Sequence, residues 1–326
     1  MITPSLRFLF IAGKFAPHIA GSTASNEAIA ALGATSVNSA DIPEEWLTRA
    51  NERYRRDSIA QKQRSFKALL EYTKETNTII DFSSSCASRV FEWFKARSAA
   101  DAHHIGSLFT GSYFFDAYFW PVSVPVFWGS LKLNALEALE TMPDPVRQEL
   151  QEDRDELWNY VLYWADCADY GCGFDDIRRF KTLGSKTWML LNNGDRELRA
   201  AIALLDSPRP NPKAILTARM GTEIFLKAFL VEKGNATERQ LKKLGHDIIG
   251  LTDAANVLCQ LKEFEIIKSL AHLFPPLDDR YSGPEKDFRS VSNGLCLCQL
   301  TAATVIRQFC DRDIRPQIFQ EHRPQE

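Results

Sequence analysis

The sequence contains no long uninterrupted apolar stretch. Its most apolar window, residues 112–129, carries Asp116 and two prolines and is too broken to form a membrane span of ~20 residues. We expect this window to form a buried aromatic cluster. The opening "MITPSLRFLFIAG" has only a short apolar run and no convincing signal-peptidase pattern. These features predict a protein of the cytoplasm with no membrane span.

Neither sign of charge is in clear excess. The chain has 39 lysines and arginines against 42 aspartates and glutamates, for a formal net charge of −3. A protein that binds nucleic acid through its overall charge is strongly basic. Any binding of RNA or of a nucleotide therefore needs a local basic patch.

The seven cysteines show no repeated spacing, and their number is odd. This excludes a disulfide framework and a pair of CxxC metal hooks, so we expect reduced thiols and no metal site. The adjacent His103 and His104 have no cysteine or carboxylate spaced to join them in a metal site. A P-loop, an HExxH sequence and a nucleophile elbow around serine are also absent. The sequence thus predicts no cofactor.

Helical patterns dominate what is present. Helices are predicted at 124–141, 143–168, 174–192 and 195–206, with the letters "NNGD" forming a turn between the last two. The strongest break is "DSPRPNPK", residues 206–213, where three prolines end any helix. A length of 326 residues is enough for two domains.

The predicted fold is therefore mainly α, in three parts. Residues 1–207 form a helical region of unknown role, which could act as a sensor or as a surface for a partner. Residues 208–312 form a bundle of four to five helices. Residues 313–326 form a tail that contains proline and is expected to be flexible.

The bundle begins with a helix from Lys213 to Gly234 whose apolar residues cover almost its whole circumference. Arg219, Glu223 and Lys227 follow one line on it at i, i+4 spacing. Because buried charges need partners, the three can pair with one another, or Glu223 can face another helix.

Further along, His246 and Asp247 open the next helix, where an aspartate suits the helix dipole. The imidazole can be satisfied by Glu223 or by a nearby carbonyl, or it can contact a ligand.

Three pieces of this block together carry a family resemblance: "TARMGTEIFLKAFLVEKG", "LKKLGHDIIGL" and "LDDRYSG" before a final apolar helix. They resemble the HEPN domain (higher eukaryotes and prokaryotes nucleotide-binding) over residues 212–312. The family has an acidic residue and a Lys-Ala pair on one helix, a His-Asp at the next helix start, and an Arg-Tyr before the last helix. The matching positions are Glu223, Lys227, Ala228, His246, Asp247, Arg280 and Tyr281.

The resemblance implies a bundle that often forms homodimers and acts in RNA cleavage, toxin–antitoxin or antiphage systems. Some members accompany a nucleotidyltransferase. Together with Arg219 of the charged line on the first helix, the resemblance gives candidate residues for binding RNA or a nucleotide: Glu223, Lys227, Asp247 and Tyr281. Two of these have an alternative structural role, since Glu223 and Lys227 can form an ion pair. The Arg280–Tyr281 pair can likewise anchor a loop.

One departure from the family concerns catalysis. Active HEPN ribonucleases carry Arg-x(4–6)-His near the start of the last helix, whereas "DRYSGPEKDFRSVSNG" has no histidine. That spacing occurs instead from Arg97 to His103, Arg239 to His246 and Arg315 to His322, and about one match is expected by chance.

The candidate catalytic residues are therefore His246, Arg239 and Arg280, because RNA cleavage without a metal needs a proton acceptor and a cation. Three hypotheses follow. The first is a HEPN protein of a bacterial defence or toxin–antitoxin system that binds RNA or a nucleotide, or assembles with a partner protein. The second is a metal-independent endoribonuclease with a displaced Arg/His pair. The third is a structural adaptor or dimerisation module.

Overall fold

The computed structural model describes residues 6–8, 42–78, 84–98, 107–126, 131–276 and 286–321. Contacts divide the chain into two compact units. The larger is formed by Met1–Leu9, Leu108–Pro125 and Ser130–Glu326, and the smaller by Phe10–Ser107 and Val126–Gly129. The predicted boundary near residue 208 thus falls inside the larger unit.

The described part of the smaller unit contains three helices: α1 (Glu44–Arg56), α2 (Gln61–Glu75) and α3 (Ser85–Lys95). Leu47, Ala50 and Tyr54 recur at helical spacing on α1 and are buried against apolar residues of α2 and α3. Ser84 caps α3, since its side chain accepts a hydrogen bond from the Ala87 amide at 3.2 Å.

The larger unit contains most of the helices and the strands that the structure describes. The strands are β1 (Leu6–Phe8), β2 (Phe109–Phe115), β3 (Tyr118–Val124) and β4 (Leu131–Leu133). The α-helices are α4 (Asp144–Glu152), α5 (Arg154–Phe180), α6 (Ser185–Leu205), α7 (Ala214–Gly234), α8 (Glu238–Leu244), α9 (Ile248–Leu258), α10 (Lys262–Leu270), α11 (Phe288–Arg307) and α12 (Arg315–Glu321). The predicted mainly α fold is confirmed.

Most of the predicted aromatic cluster, residues 112–129, falls on a β-hairpin. Strands β2 and β3 pair antiparallel from Phe109↔Val124 to Phe115↔Tyr118. Their two-residue turn, Asp116–Ala117, has positive φ at both positions, which matches the twist of paired strands. The predicted helix at 124–141 was wrong: Val124 ends β3, Leu131–Leu133 form β4, and Ala135–Ala138 form a short 3₁₀ helix. Valines and aromatic residues such as those of β2 and β3 suit a pleated, half-buried surface.

Four helices, α5, α6, α7 and α11, form the centre of the larger unit. Helix α7 packs along α6 and against α11, and α11 in turn packs on α5. The proline-rich segment before Ala214 therefore joins two helices of one bundle instead of two domains.

The predicted turn at "NNGD" is continuous helix, for a packing reason. Gly194 in α6 faces the ring of Phe225 in α7, and a β-carbon at this position would lie 2.9 Å from the ring. The glycine therefore allows the two helices to approach closely.

The start of the tail is packed, contrary to the prediction that it is flexible. Residues Arg315–Glu321 form α12, and Ile318 is fully buried.

Among the described residues, no helix is long and apolar enough to cross a membrane. All seven cysteines are free thiols, as predicted.

Candidate functional site

A buried carboxylate on α7 organises the predicted site. The Glu223 side chain is only 9% exposed, and Lys227 donates a hydrogen bond from Nζ to its Oε1 at 2.6 Å. The predicted ion pair within the helix is confirmed. Burial of a charge is costly without such a partner, so Lys227 stabilises the ionised carboxylate.

His246 is the second partner of Glu223. Helix α8 is followed by Gly245, whose positive φ of 60° turns the chain. The imidazole Nδ1 then lies 2.9 and 3.0 Å from the two carboxylate oxygens. The predicted contact between this imidazole and Glu223 is confirmed. A carboxylate at Nδ1 favours the tautomer protonated there and fixes the ring. The His246 side chain is nevertheless 65% exposed, so Nε2 remains available to a ligand.

Arg219 holds the backbone around this histidine. Its Nη2 donates to the His246 carbonyl at 3.0 Å, and its Nε donates to the Pro275 carbonyl at 3.2 Å. Burial lowers the pKa of Arg219, while Glu223 and Asp247 act in the opposite direction. Through these two hydrogen bonds, Arg219 joins the chain before α9 to the segment that follows α10.

The remaining predicted site residues are placed differently. Asp247 is exposed and stands at the N-cap of α9. Arg239 is exposed on α8 and makes no hydrogen bond or ion pair within the described ranges, so the structure does not pair it with His246. Arg280 and Tyr281 lie outside the described residues.

For the two other Arg–His matches, the structure describes only the arginines. Arg97 bonds Glu44 at 3.1 Å in the smaller unit, and Arg315 bonds Asp166 at 2.6 Å. Their histidines, His103 and His322, lie outside the described residues.

Two exposed lysines on α8, Lys242 and Lys243, were missed by the sequence analysis, although the letters "RQLKK" carried the signal. Arg239, Lys242 and Lys243 follow i, i+3, i+4 spacing and share one helix face, while Leu241 is buried. We call these three residues the α8 basic face. None of them has an ion pair in the part of the chain that the structure describes, and α8 ends just before His246. The basic face therefore lies on the helix that directly precedes the exposed imidazole, and its cations can attract a phosphate.

A second charged cluster, also missed by the sequence analysis, is closed to solvent. Arg307, at the end of α11, donates to Asp166 at 2.6 Å and to Asp169 at 2.8 Å, both on α5. These three side chains are 6%, 5% and 1% exposed, respectively. Arg315 of α12 bonds the other oxygen of Asp166 at 2.6 Å.

Protonation in this buried cluster follows from burial and pairing. Burial raises the pKa of Asp169 to about 6, against the lowering effect of Arg307. Burial lowers the pKa of Arg307, but Asp166 and Asp169 raise it above its ordinary value. The Ile314 amide also donates to Asp169 at 3.2 Å, so the cluster fixes the chain that leads into α12. This explains why the predicted flexible tail is packed at its start.

Neither clustered metal ligands nor similarity to known proteins assigns a role to these residues. The described residues hold no group of three or more potential metal ligands. No family model, no curated protein and no solved structure matches the chain significantly.

Proposed function

We propose that this chain is a HEPN-like protein that binds RNA through the α8 basic face and His246. The observation that carries the proposal is the position of three unpaired cations directly before an exposed imidazole that a buried carboxylate orients. A phosphate near this surface can pair with the cations and accept a hydrogen bond from the imidazole when both its nitrogens are protonated.

The charge distribution supports RNA as the ligand. The chain as a whole is slightly acidic, at −3, so attraction to phosphates must come from a local surface. A row of cations on one helix face follows a phosphate backbone better than it encloses a single small anion. Backbone phosphates also release counterions when lysine or arginine neutralises them, which makes binding depend on salt.

The HEPN resemblance supports a role in the kind of biological system in which members of that family act. The contact of His246 with Glu223, beside Lys227, joins three positions that carry the resemblance. We extend the proposal to a cytoplasmic protein of a bacterial defence or toxin–antitoxin system, acting as a homodimer. A partner protein such as a nucleotidyltransferase belongs to the same proposal.

A binding experiment with a matched control tests the proposal. Single-stranded RNA is titrated into the protein over a range of salt concentrations, with a triple variant that replaces Arg239, Lys242 and Lys243 by alanine. Each lost phosphate contact on a single strand reduces the salt slope by ~0.7, so the slope should fall by about 2. The control replaces Arg49, Lys74 and Lys95, three exposed cations of the smaller unit. An equal loss in both variants, or in neither, would contradict RNA binding at α8.

A second candidate function, metal-independent RNA cleavage, is favoured by the orientation of His246. With Nδ1 held by Glu223, Nε2 can accept the proton of a ribose 2′-hydroxyl, and the cations of the basic face can stabilise the charged phosphate. Incubation with RNA and EDTA tests this activity. Cleavage that His246→Ala abolishes, and that Glu223→Gln weakens, would support an endoribonuclease. RNA that stays intact with the wild-type protein would contradict cleavage and leave RNA binding as the proposed function.

A third candidate function, a dimerisation module, is favoured by exposed apolar residues on α9 and α10. Val257 is 82% exposed, and Ile249 and Ile266 are also exposed, although single apolar residues on a surface are common. Val257→Asp combined with a measurement of solution mass tests the proposed homodimer. A dimer that this change leaves intact would place the interface at another surface.

A further inference from the structure

A cavity of about 320 Å³ lies at the C-terminal end of α11, among residues that the proposed RNA site does not use. Helix α10 contributes to its wall, together with the end of α11 and the segment that leads to α12. Its lining includes Glu263, Thr304, Arg307, Asp311, Arg312 and Asp313. Its volume is at the lower end of the range for small-molecule sites.

Two lining residues have buried polar atoms without a partner among the described residues. They are Nη1 of Arg307 and Oγ1 of Thr304, and the residues are almost fully buried. Asp166 and Asp169 fix the other nitrogens of Arg307, so the guanidinium cannot turn to find a partner.

Thr304 can be compared with Thr301, one turn earlier on the same helix. The Thr301 hydroxyl donates to the Leu297 carbonyl at 2.8 Å, which is the usual solution for a buried threonine in a helix. The Thr304 hydroxyl makes no such hydrogen bond to a backbone carbonyl of its helix. Since buried polar groups are rarely left unpaired, Arg307 and Thr304 together indicate a hydrogen-bond acceptor from outside the chain.

Carboxylates of the same cavity call instead for a hydrogen-bond donor. Glu263 has Arg315 as its ion-pair partner at 3.6 Å, and Asp313 has Arg307 at 3.5 Å. Both distances are long for charge-assisted hydrogen bonds. These carboxylates therefore retain the capacity to accept hydrogen bonds from a cationic group.

We propose that this cavity binds a small zwitterion of the amino-acid type. Its carboxylate lies towards Arg307 and Thr304, and its ammonium group lies towards Glu263 and Asp313. An anion alone would meet the carboxylates of Glu263 and Asp313, while a cation alone would leave the two unpaired polar atoms unsatisfied. Because Asp313 and Arg315 connect this region to α12, the bound molecule stabilises the docking of that helix.

The experiment measures thermal unfolding of the full chain with each of the twenty L-amino acids in turn. Acetate and methylammonium serve as probes for the two halves of the proposed ligand. We expect at least one amino acid to raise Tm by roughly 2–4 °C when well above its Kd, and neither half to do so. No shift with any amino acid would overturn the proposal, and so would acetate or methylammonium alone reproducing the full shift.

Matched variants locate the effect. Thr304→Val keeps the side-chain shape but removes the hydroxyl, and Glu263→Gln removes one carboxylate; both should abolish the shift. Thr301→Val, on the same helix, and Glu265→Gln, on α10, should retain it. Calorimetric titration of the same variants measures affinity directly if a substitution itself changes Tm. Equal binding by Thr304→Val and Glu263→Gln would place the ligand outside the cavity and overturn the assignment.

Discussion

The larger unit contains two charged clusters that use similar residue types in opposite ways. In the open cluster, one buried carboxylate, Glu223, holds Lys227 and a histidine that is 65% exposed. In the closed cluster, Arg307 and two aspartates of α5 are each at most 6% exposed. The difference lies in how many of the ions remain in contact with water.

This difference separates recognition from stability. Exposed charges keep most of their hydration and contribute little to folding, but they can exchange water for a ligand. Buried ions have lost their hydration and depend on their partners, so removal of one partner is costly. We therefore expect changes in the open cluster to affect binding and changes in the closed cluster to affect folding.

The largest expected effect is on the closed cluster. Arg307→Ala leaves Asp166 and Asp169 buried with fewer partners and should lower the free energy of unfolding by about 3–5 kcal/mol. Urea denaturation measures this loss. The control is Arg289→Ala, which removes an ion pair with Glu156 from an arginine that is 53% exposed and should cost less than about 1 kcal/mol. Equal losses in the two variants would remove the distinction between open and closed clusters.

Sequence patterns predict the open cluster better than the closed one, and the reason is distance along the chain. Glu223 and Lys227 are one helical turn apart, and His246 follows at the start of the next long helix, so local rules bring them together. Arg307 is 138 and 141 residues from its two aspartates. Local periodicity cannot indicate such a pairing.

The same limit explains the other differences between prediction and structure. Gly194 stands in "NNGD", a sequence typical of a turn. It is helical because α6 packs closely against Phe225 of α7 at this position. Arg315 stands in a segment that looks flexible by sequence, and Asp166 on α5 fixes it. In each case a partner distant in sequence overrides the local pattern.

The pH dependence of the closed cluster is the second test of the comparison. Burial raises the pKa of Asp169 to about 6, above its value in the unfolded chain. The native state therefore binds this proton more tightly, and the contribution of Asp169 to stability falls as pH rises from about 4 to about 6.

Asp169→Asn cannot titrate and lacks this contribution. Its stability relative to the wild type should therefore improve by roughly 2–3 kcal/mol between pH 4 and pH 7. Denaturant unfolding of both proteins at several pH values measures the change. A constant difference would mean that Arg307 keeps the carboxyl ionised throughout this range.

Glu223→Gln gives a smaller effect, because it keeps the shape of the side chain that joins the open cluster. Lys227 loses its charged partner, while the amide oxygen can still accept from His246, so the expected cost is about 1–2 kcal/mol. His246→Ala should cost less than about 1 kcal/mol, since the imidazole is largely exposed. Chemical denaturation compares the two variants. If loss of the imidazole costs as much as loss of the carboxylate charge, His246 stabilises the fold as much as Glu223 does. The contrast between the open and closed clusters would then fail.

The smallest effect on stability is expected for the α8 basic face. Alanine at Arg239, Lys242 and Lys243 removes no ion pair within the described residues, and alanine is a strong helix former, so the free energy of unfolding should change by less than about 0.5 kcal/mol. Thermal unfolding and RNA titration are measured on the same preparation of this triple variant. Loss of RNA binding with unchanged unfolding would separate recognition from stability at this surface. A large loss of stability would instead mean that these lysines and the arginine support the fold, and the weakened binding would then say nothing specific about RNA.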